Sequence, residues 1–219
     1  DLMKNMIKID SQYKYNVAWL DSMHNDFRGI LTYGNHASRD EIKDINCVDS
    51  LYFNPKSITN IPDLLPNKIM NRAFIILFNE FWFRKSPKES RSKIKSINSF
   101  FYPLDAIDNW NNIYGKEGFM QYQIIVPEEH GSLIKTILQK LKLIKALSFL
   151  PVLKRFGKAN ESYLSFPMPG WALSIDLPAN NQNIENLLIE FDQEIAKIGG
   201  KLYLAKDSRQ SPSIFAQTY

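Results

Sequence analysis

Residues 148–176 read SFLPVLKRFGKANESYLSFPMPGWALSID and contain two strand-like runs joined by a turn with glycine and asparagine. Successive side chains of a β-strand point to opposite faces, so the first run places one cation among three apolar groups on a single face. These residues are Leu150, Val152, Lys154 and Phe156. In the second run one face is apolar and must be packed, whereas the other is small and polar. The apolar face carries Trp171, Leu173, Ile175 and Leu177, and the polar face carries Ala172, Ser174 and Asp176.

Lys154 and Asp176 are open to two interpretations. Most charges on a one-sided antiparallel sheet point to water, which would make both side chains ordinary surface groups. Alternatively, a small polar face beside a lysine can form the floor of a ligand pocket. Residues 148–176 taken alone favour the first interpretation.

Hydrophobic periodicity extends the prediction to the rest of the chain. Alternation predicts strands at 13–22, 28–32, 119–126 and 201–205. Helical spacing predicts helices at 67–83, 128–147 and 183–198, the last closed by two glycines at its C-terminus. This order is typical of an α+β fold, in which a mostly antiparallel sheet is covered by helices.

Two segments carry possible docking surfaces. The helix predicted at 67–83 has a wide apolar stripe, which favours burial. The stripe comprises Ile69, Ala73, Phe74, Leu77, Phe78 and Phe81. The following segment, Arg84 to Lys95, is charged and poor in apolar residues, so we expect an exposed loop. This loop and the lysines of the helix at 128–147 could touch anionic lipid or another protein, although solvated faces are the simpler interpretation.

The composition of the chain excludes several classes of protein. The 219 residues carry a net charge of +4 and include a single cysteine, Cys47, which excludes an internal disulfide and fits a reducing compartment. No apolar run approaches the roughly 20 residues that a membrane-spanning helix needs. The mild net charge and the lack of a recognisable nucleic-acid-binding motif argue against nucleic acid as a partner. Because the chain begins at Asp1, we expect it to be a fragment.

Common catalytic and nucleotide-binding motifs are missing from the sequence. The nine glycines form neither a dinucleotide-binding nor a Walker pattern. Three histidines and one cysteine make no zinc spacing, so we predict no metal site. No G-x-S-x-G elbow occurs either. Motif chemistry alone therefore indicates only an α+β binding domain.

Eight collinear blocks nevertheless resemble one family. They are YNVAWLD (15–21), GILTYGNHA (29–37), FWFRKS (81–86), FYPLD (101–105), FMQYQIIVP (119–127), SFLPVLKRFG (148–157), LSFPMPGWALSID (164–176) and GGKLYLAKDSR (199–209). Together they resemble the decaprenylphosphoryl-β-D-ribose oxidase family of bacterial FAD-linked oxidases, within the vanillyl-alcohol-oxidase-type flavoproteins. The resemblance spans nearly the whole chain.

The resemblance implies a domain organisation and an activity. Residues 1–200 correspond to the substrate-binding (cap) domain of an FAD-linked oxidase, and residues 201–219 to the start of the segment that returns to the FAD-binding domain. The parent enzyme is expected to oxidise a secondary alcohol of a sugar or polyprenyl-phosphate sugar by hydride transfer to flavin. FAD would be bound mainly by an N-terminal domain outside this chain, so the fragment alone is expected to be inactive.

The resemblance also implies site residues. The substrate-binding residues are Trp19, Gln121, Gln123, Leu150, Val152, Lys154, Phe156 and Ser174. Tyr203 and Lys206 correspond to the pair that approaches flavin and substrate, and they are the implied catalytic and cofactor-binding residues. A mobile segment near the pocket mouth corresponds to Tyr102, Leu104 and Asp105. Lysines can neutralise a phosphate or stabilise a developing alkoxide, and glutamines can bind sugar hydroxyls.

Two positions depart from the pattern of the family. Ser174 stands where the mycobacterial enzyme has a cysteine, and Ala172 where it has an asparagine. The first change removes a reactive thiol and the second removes a polar group from the pocket. The lipid-linked ribose is therefore not assured as the substrate.

The resemblance implies partners and leaves alternatives open. The partners are the FAD-binding domain of the same parent chain, the sugar or lipid-linked sugar, and a short-chain reductase that completes an epimerisation. A cytoplasmic location with contact to the inner membrane would follow from a lipid-linked substrate. The alternatives are an alditol or aldonolactone oxidase of the same architecture and a non-catalytic module that docks on lipid or protein.

Overall fold

The computed structural model describes residues 2–43, 51–53, 55–62, 71–89, 91–146, 148, 150–207 and 209–219. Cys47 and Ile69 lie outside these ranges. Among the described residues, no helix is both long and apolar enough to cross a membrane.

A six-stranded sheet forms the centre of the molecule. Its strands are β1 (Tyr15–Leu20), β2 (Gly29–Gly34), β5 (Phe119–Pro127), β6 (Val152–Phe156), β7 (Gly170–Pro178) and β8 (Lys201–Leu202). Their order across the sheet is β2-β1-β6-β7-β5-β8, and every neighbouring pair is antiparallel. Two short strands, β3 (Thr59–Asn60) and β4 (Ile107–Asp108), pair in parallel in a second sheet.

Seven α-helices occur among the described residues. They are α1 (Leu2–Ile9), α2 (Arg39–Ile42), α3 (Arg72–Lys85), α4 (Ile97–Phe101), α5 (Ser132–Leu143), α6 (Gln182–Lys197) and α7 (Pro212–Thr218). The long helices α5 and α6 cover one face of the large sheet. Short 3₁₀ helices occur at Pro103–Ala106, Trp110–Tyr114 and Glu128–His130. The predicted α+β fold with a mostly antiparallel sheet is thus confirmed.

The main core lies between the sheet and the long helices α5 and α6. The apolar face predicted for β7 is buried there, with Leu173 and Leu177 fully inaccessible. Phe191 of α6 and Ile137 of α5 are also fully buried and face the sheet. Because strand residues alternate, packing one face of β7 leaves Ala172, Ser174 and Asp176 on the opposite side.

The predicted burial of the stripe along α3 is wrong. Of its members, Phe74, Leu77 and Phe81 are 41%, 70% and 60% exposed, and Ala73 is exposed as well. The helix instead buries Ile75 and Asn79. Apolar residues occur around most of this helix, so periodicity alone does not select the buried side. The buried side is set by the hydrogen bond that Asn79 makes with Asp21, a residue distant in the chain.

Some boundaries also differ from the predictions. The last strand ends at Leu202 rather than at residue 205, because the chain turns where the amide of Lys206 donates to the Tyr203 carbonyl. Leu150 precedes β6 and is half-buried. The predicted glycine C-cap of α6 is confirmed, since Gly199 adopts a φ of 77° that favours glycine.

Candidate functional site

The face of the sheet opposite α5 and α6 gathers most of the residues that the sequence singled out. In the register of the strands, Trp19 of β1 lies opposite Val152 of β6, and Val152 lies opposite Ser174 of β7. Ser174 in turn lies opposite Gln123 of β5. Cross-strand partners share a face, so these four side chains form one row across four strands. We call this side of the sheet the open face.

Two further rows extend the open face along the strands. Lys154 lies opposite Ala172, which lies opposite Ile125. On the other side of the Ser174 row, Asp176 of β7 lies opposite Gln121 of β5. The open face thus combines a lysine, two amides, a hydroxyl and a carboxylate from residues up to 55 positions apart in the chain.

Lys206 reaches the open face from the segment that follows β8. The amide of Tyr203 donates to the carbonyl of Gln123 at 2.9 Å, which keeps this segment beside β5. The Nζ of Lys206 donates to Oε1 of Gln121 at 2.9 Å. The Oδ2 of Asp207 accepts from the backbone N–H of Gln121 at 2.6 Å. The returning segment is therefore tied to β5 at both ends, and Lys206 is held at a defined position.

Gln121 connects Lys206 to a buried carboxylate. Its Nε2 donates to Oδ1 of Asp176 at 3.0 Å, while its Oε1 accepts from Lys206. An amide carries its donor and its acceptor on different atoms, so Asp176 fixes which end of Gln121 points to the lysine. Asp176 acts here as a positioning residue. Sequence reasoning missed this role, because the partner of Asp176 belongs to a distant strand.

Asp176 is only 4% exposed, so the interpretation that it points to water is wrong. Desolvation raises the pKa of Asp176, while the hydrogen bond from Gln121 and the charge of Lys206 oppose this shift. The hydroxyl of Tyr114 lies 3.5 Å from Oδ2. Burial and the neighbouring Asp176 raise the pKa of Tyr114, which keeps this phenol a neutral donor.

Lys154 supplies a second cation to the open face. Its side chain is exposed as a whole, and its pKa is nevertheless lowered, first by desolvation at the sheet surface and then by repulsion from Lys206. Among the described side chains, two carboxylates lie near this lysine pair, the buried Asp176 and the exposed Asp207. Two cations held this close favour an anionic ligand or an oxygen that gains negative charge during a reaction.

Replacing Lys154 with methionine is expected to stabilise the protein by a few tenths to about 1 kcal/mol at neutral pH, a small effect because solvent screens the charge. The folded-state pKa of Lys154 lies below the unfolded value, so the penalty for its charge is fully present below the folded pKa. The penalty disappears as the pH rises toward the unfolded value. Urea unfolding of both proteins at several pH values checks this, and the stability difference should shrink at alkaline pH.

A matched control for this prediction is Lys135→Met, because Lys135 is exposed on α5, away from the open face. The free energy of unfolding of this variant should differ from that of the wild type by close to zero at every pH. A Lys154→Met protein that is less stable than the wild type would contradict the electrostatic interpretation.

An aromatic side chain that the sequence did not single out covers part of the open face. Phe166 is 3% exposed and packs on Ile125 and Ala172. Its ring meets Phe156 edge-on at 6.0 Å and Tyr203 at 4.7 Å. Phe166 therefore joins β6 to the returning segment. No periodic signal could have identified it, because it lies in the connection between β6 and β7.

Phe166 covers Ala172, so Ala172 is not an accessible part of the pocket floor that the sequence suggested. Ala172 is 2% exposed beneath Phe166, whereas Ser174 in the next row is half-buried. Of the two positions that depart from the family pattern, Ser174 is the one that remains accessible. A cleft of about 360 Å³ adjoins this region. Its lining includes Gln121, Gln123, Tyr203 and Lys206.

The remaining residues of the predicted site lie further away. Tyr102 caps α4, and Leu104 and Asp105 belong to the 3₁₀ helix at Pro103–Ala106. The neighbouring Phe101 packs against Tyr15 of β1 at 4.9 Å. This segment therefore lies near the β1–β2 end of the sheet, while Lys206 lies near the β8 end. The structure does not bring the two groups together.

The chain is similar in sequence to a named bacterial oxidase and to a second bacterial protein. The chain is 34% identical over 213 residues to decaprenylphosphoryl-β-D-ribose oxidase of Mycolicibacterium smegmatis, which covers 96% of this chain and 46% of that protein. It is also 25% identical over 229 residues to a Streptomyces coelicolor protein named "Uncharacterized protein in mprA 5'region", of which it covers 62%. The match to the oxidase confirms the resemblance found in the sequence blocks. The chain spans about half the length of that relative, and no protein-family model matches it.

Proposed function

We propose that this relative of decaprenylphosphoryl-β-D-ribose oxidase is the substrate-binding part of an FAD-dependent oxidoreductase. The parent enzyme would oxidise a secondary alcohol of a sugar or polyprenyl-phosphate sugar by hydride transfer to flavin. Residues 1–200 would form the substrate-binding domain, and residues 201–219 would begin the return to a separate FAD-binding domain. The observation that carries the proposal is the position of Lys206, which Gln121 holds at the edge of a face lined with polar groups.

The open face suits the covering of a flavin ring rather than the binding of its phosphates. Tyr203 is 37% exposed beside the cleft, and Lys206 lies next to it. The sequence contains no glycine-rich phosphate loop, so the diphosphate would be held by the other domain. Tyr203 and Lys206 would therefore contact the reactive side of the cofactor. FAD, when bound, supplies the hydride acceptor.

Each side chain of the open face has a distinct task in this proposal. The ammonium of Lys206 would hydrogen-bond the substrate oxygen and stabilise the negative charge that develops there as the hydroxyl loses its proton to solvent, before the carbon gives its hydride to flavin. Lys154 would bind an anionic group of the substrate. The amide of Gln123 and the hydroxyl of Ser174 lie in one row and would bind sugar hydroxyls. Phe166 and Phe156 would exclude water from one side of the pocket.

The second cation favours an anionic substrate over a neutral one. A neutral alditol or aldonolactone would need only one cation beside its reacting oxygen. Lys154 lies two residues from Val152 on the same face and would be left without a ligand in that case. A phosphate-linked sugar would use both lysines. If the oxidation is the first half of an epimerisation, a short-chain reductase would have to complete it.

The test uses the full-length protein. We expect it to carry flavin absorbance after purification and to lose that absorbance on anaerobic addition of a polyprenyl-phosphate sugar. Free alditols and aldonolactones should reduce the flavin more slowly. A purified protein without flavin would overturn the proposal, and faster reduction by free alditols would favour the alternative substrate class.

A further inference from the structure

The outward side of α3 carries a patch of large apolar side chains. Phe74, Leu77 and Phe81 recur at spacings of three and four residues and are 41%, 70% and 60% exposed. We call these three residues the α3 outer face. Side chains of this size are rarely left exposed together unless the surface has a binding role. No described residue covers most of this area.

The orientation of α3 is set by polar contacts on its inner side. The Nδ2 of Asn79, a fully buried side chain, donates to Oδ1 of Asp21 at 2.7 Å. Arg28 bonds both Asp21, at 3.0 Å, and Glu80 of α3. Ile75 is buried beside them. The outer face is therefore exposed because the opposite side of the helix is anchored to the β1–β2 hairpin.

Positive charge follows the α3 outer face directly. Residues 84–95 contain six lysines and arginines and one glutamate. Lys85 lies over the ring of Phe81, with Nζ 5.7 Å from its centroid, so the cation adjoins the apolar patch. Arg84 pairs with Glu80 of the same helix, and Lys88, Arg91, Lys93 and Lys95 are exposed in the segment that follows. Ile94, 47% exposed, adds an apolar side chain among these cations.

We propose that the α3 outer face and the basic segment 84–95 dock on the surface of an anionic lipid bilayer. Aromatic and leucine side chains on one face of a helix insert at the boundary of headgroups and acyl chains, and adjacent lysines and arginines pair with anionic headgroups. The charge of segment 84–95 complements such a surface and would repel a basic one. The proposal does not depend on the enzymatic activity proposed above, although a lipid-linked substrate would be reached from the same surface.

The lysine-rich helix α5 does not offer an equivalent surface. Its apolar face is buried against the sheet, including Ile137 and Leu138. Lys140 lies 3.7 Å from Glu190, and Lys142 donates to Asn25 at 3.0 Å. The face therefore lacks an apolar patch of several side chains that could insert into lipid, and two of its lysines have partners within the chain. Of the two candidate docking surfaces in the sequence, α3 presents a row of three exposed apolar side chains beside its cations, whereas α5 exposes the single Leu143.

The experiment measures flotation of the full-length protein with vesicles of phosphatidylcholine alone or mixed with phosphatidylglycerol. We expect binding to the mixed vesicles only, and a marked loss of binding at high ionic strength. The double variant Leu77→Ser with Phe81→Ser should lower the partition coefficient by at least about tenfold. Lys88→Glu with Arg91→Glu should lower it by a similar factor.

Two control variants and one folding measurement complete the experiment. Leu143→Ser removes an apolar side chain that is 81% exposed on α5, and Lys135→Glu reverses an exposed charge on the same helix. Both should bind vesicles as the wild type does. Circular dichroism melts should show that all variants fold, since every substituted position is exposed. Equal binding by the wild type and the α3 variants, or no binding by the wild type, would overturn the proposal.

A protein partner on the same surface gives a different result. If the α3 outer face joined two copies of the protein, the Leu77→Ser and Phe81→Ser variant would change the oligomeric state in size-exclusion chromatography, and the wild type would not float with vesicles. That outcome would also overturn the lipid proposal. Loss of flavin reduction has no bearing on it, so this test and the test of the enzymatic activity fail independently.

Discussion

Replacing Lys206 with alanine in the full-length protein is expected to slow flavin reduction by about 10²- to 10³-fold, the loss typical of one removed donor to a developing oxyanion. Lys206 is half-buried, and its Nζ donates to Oε1 of Gln121 at 2.9 Å, so a water molecule would not reproduce its position. The measurement is single-turnover flavin reduction in a stopped-flow instrument without oxygen. The fold should persist, because the side chain lies outside the main core.

The control for this prediction is Lys197→Ala, an exposed lysine near the end of α6, which should reduce its flavin at the wild-type rate. Asp176→Asn should also slow reduction, by roughly tenfold, because Asp176 orients Gln121 and thereby Lys206. In a Lys206→Ala background the same change should cause little further loss, since both residues act through one contact. A Lys206→Ala protein that reduces flavin normally would contradict the assigned role.

Substituting alanine for Gly170 is expected to lower the free energy of unfolding by about 3 kcal/mol, at the upper end of the cost of overpacking. Gly170 begins β7 and lies opposite Pro127 of β5 and Phe156 of β6. A Cβ atom there would lie 2.1 Å from the carbonyl oxygen of Val126, a backbone atom that belongs to the sheet. The strands would have to separate at the place where the open face begins.

Gly157 provides the matched comparison for Gly170. It lies at the other end of the same connection between β6 and β7, and a Cβ atom there would meet no atom within 4 Å. Gly157→Ala should therefore change the unfolding free energy by no more than about 0.5 kcal/mol. Urea unfolding of the two variants checks the difference. Equal stability of Gly170→Ala and Gly157→Ala would show that the strands can move apart at Gly170 at little cost.

The location of the helices could be predicted from sequence better than their orientation. The sequence predicts helix α6 correctly because its apolar residues form one stripe between polar ones, and Gly199 marks its end. Helical spacing also predicts α3, but the structure buries Ile75 and Asn79 rather than the predicted apolar stripe. Apolar residues occur on several sides of α3, and the buried contact of Asn79 with Asp21 sets the rotation of the helix. Such a contact joins residues 58 positions apart and leaves no local pattern.

The sequence by itself determined which side chains of residues 148–176 share a face. Alternation is a local property of an extended backbone, so the packed face of β7 and the positions of Lys154 and Ser174 followed from residue order alone. Only the tertiary structure decided what those faces meet. The register of β5 on β7 buries Asp176 against Gln121, and the turn after β8 brings Lys206 to the same amide from 85 residues away. Register and packing depend on contacts between distant segments, and for that reason the open face has a defined polar network that periodicity could not predict.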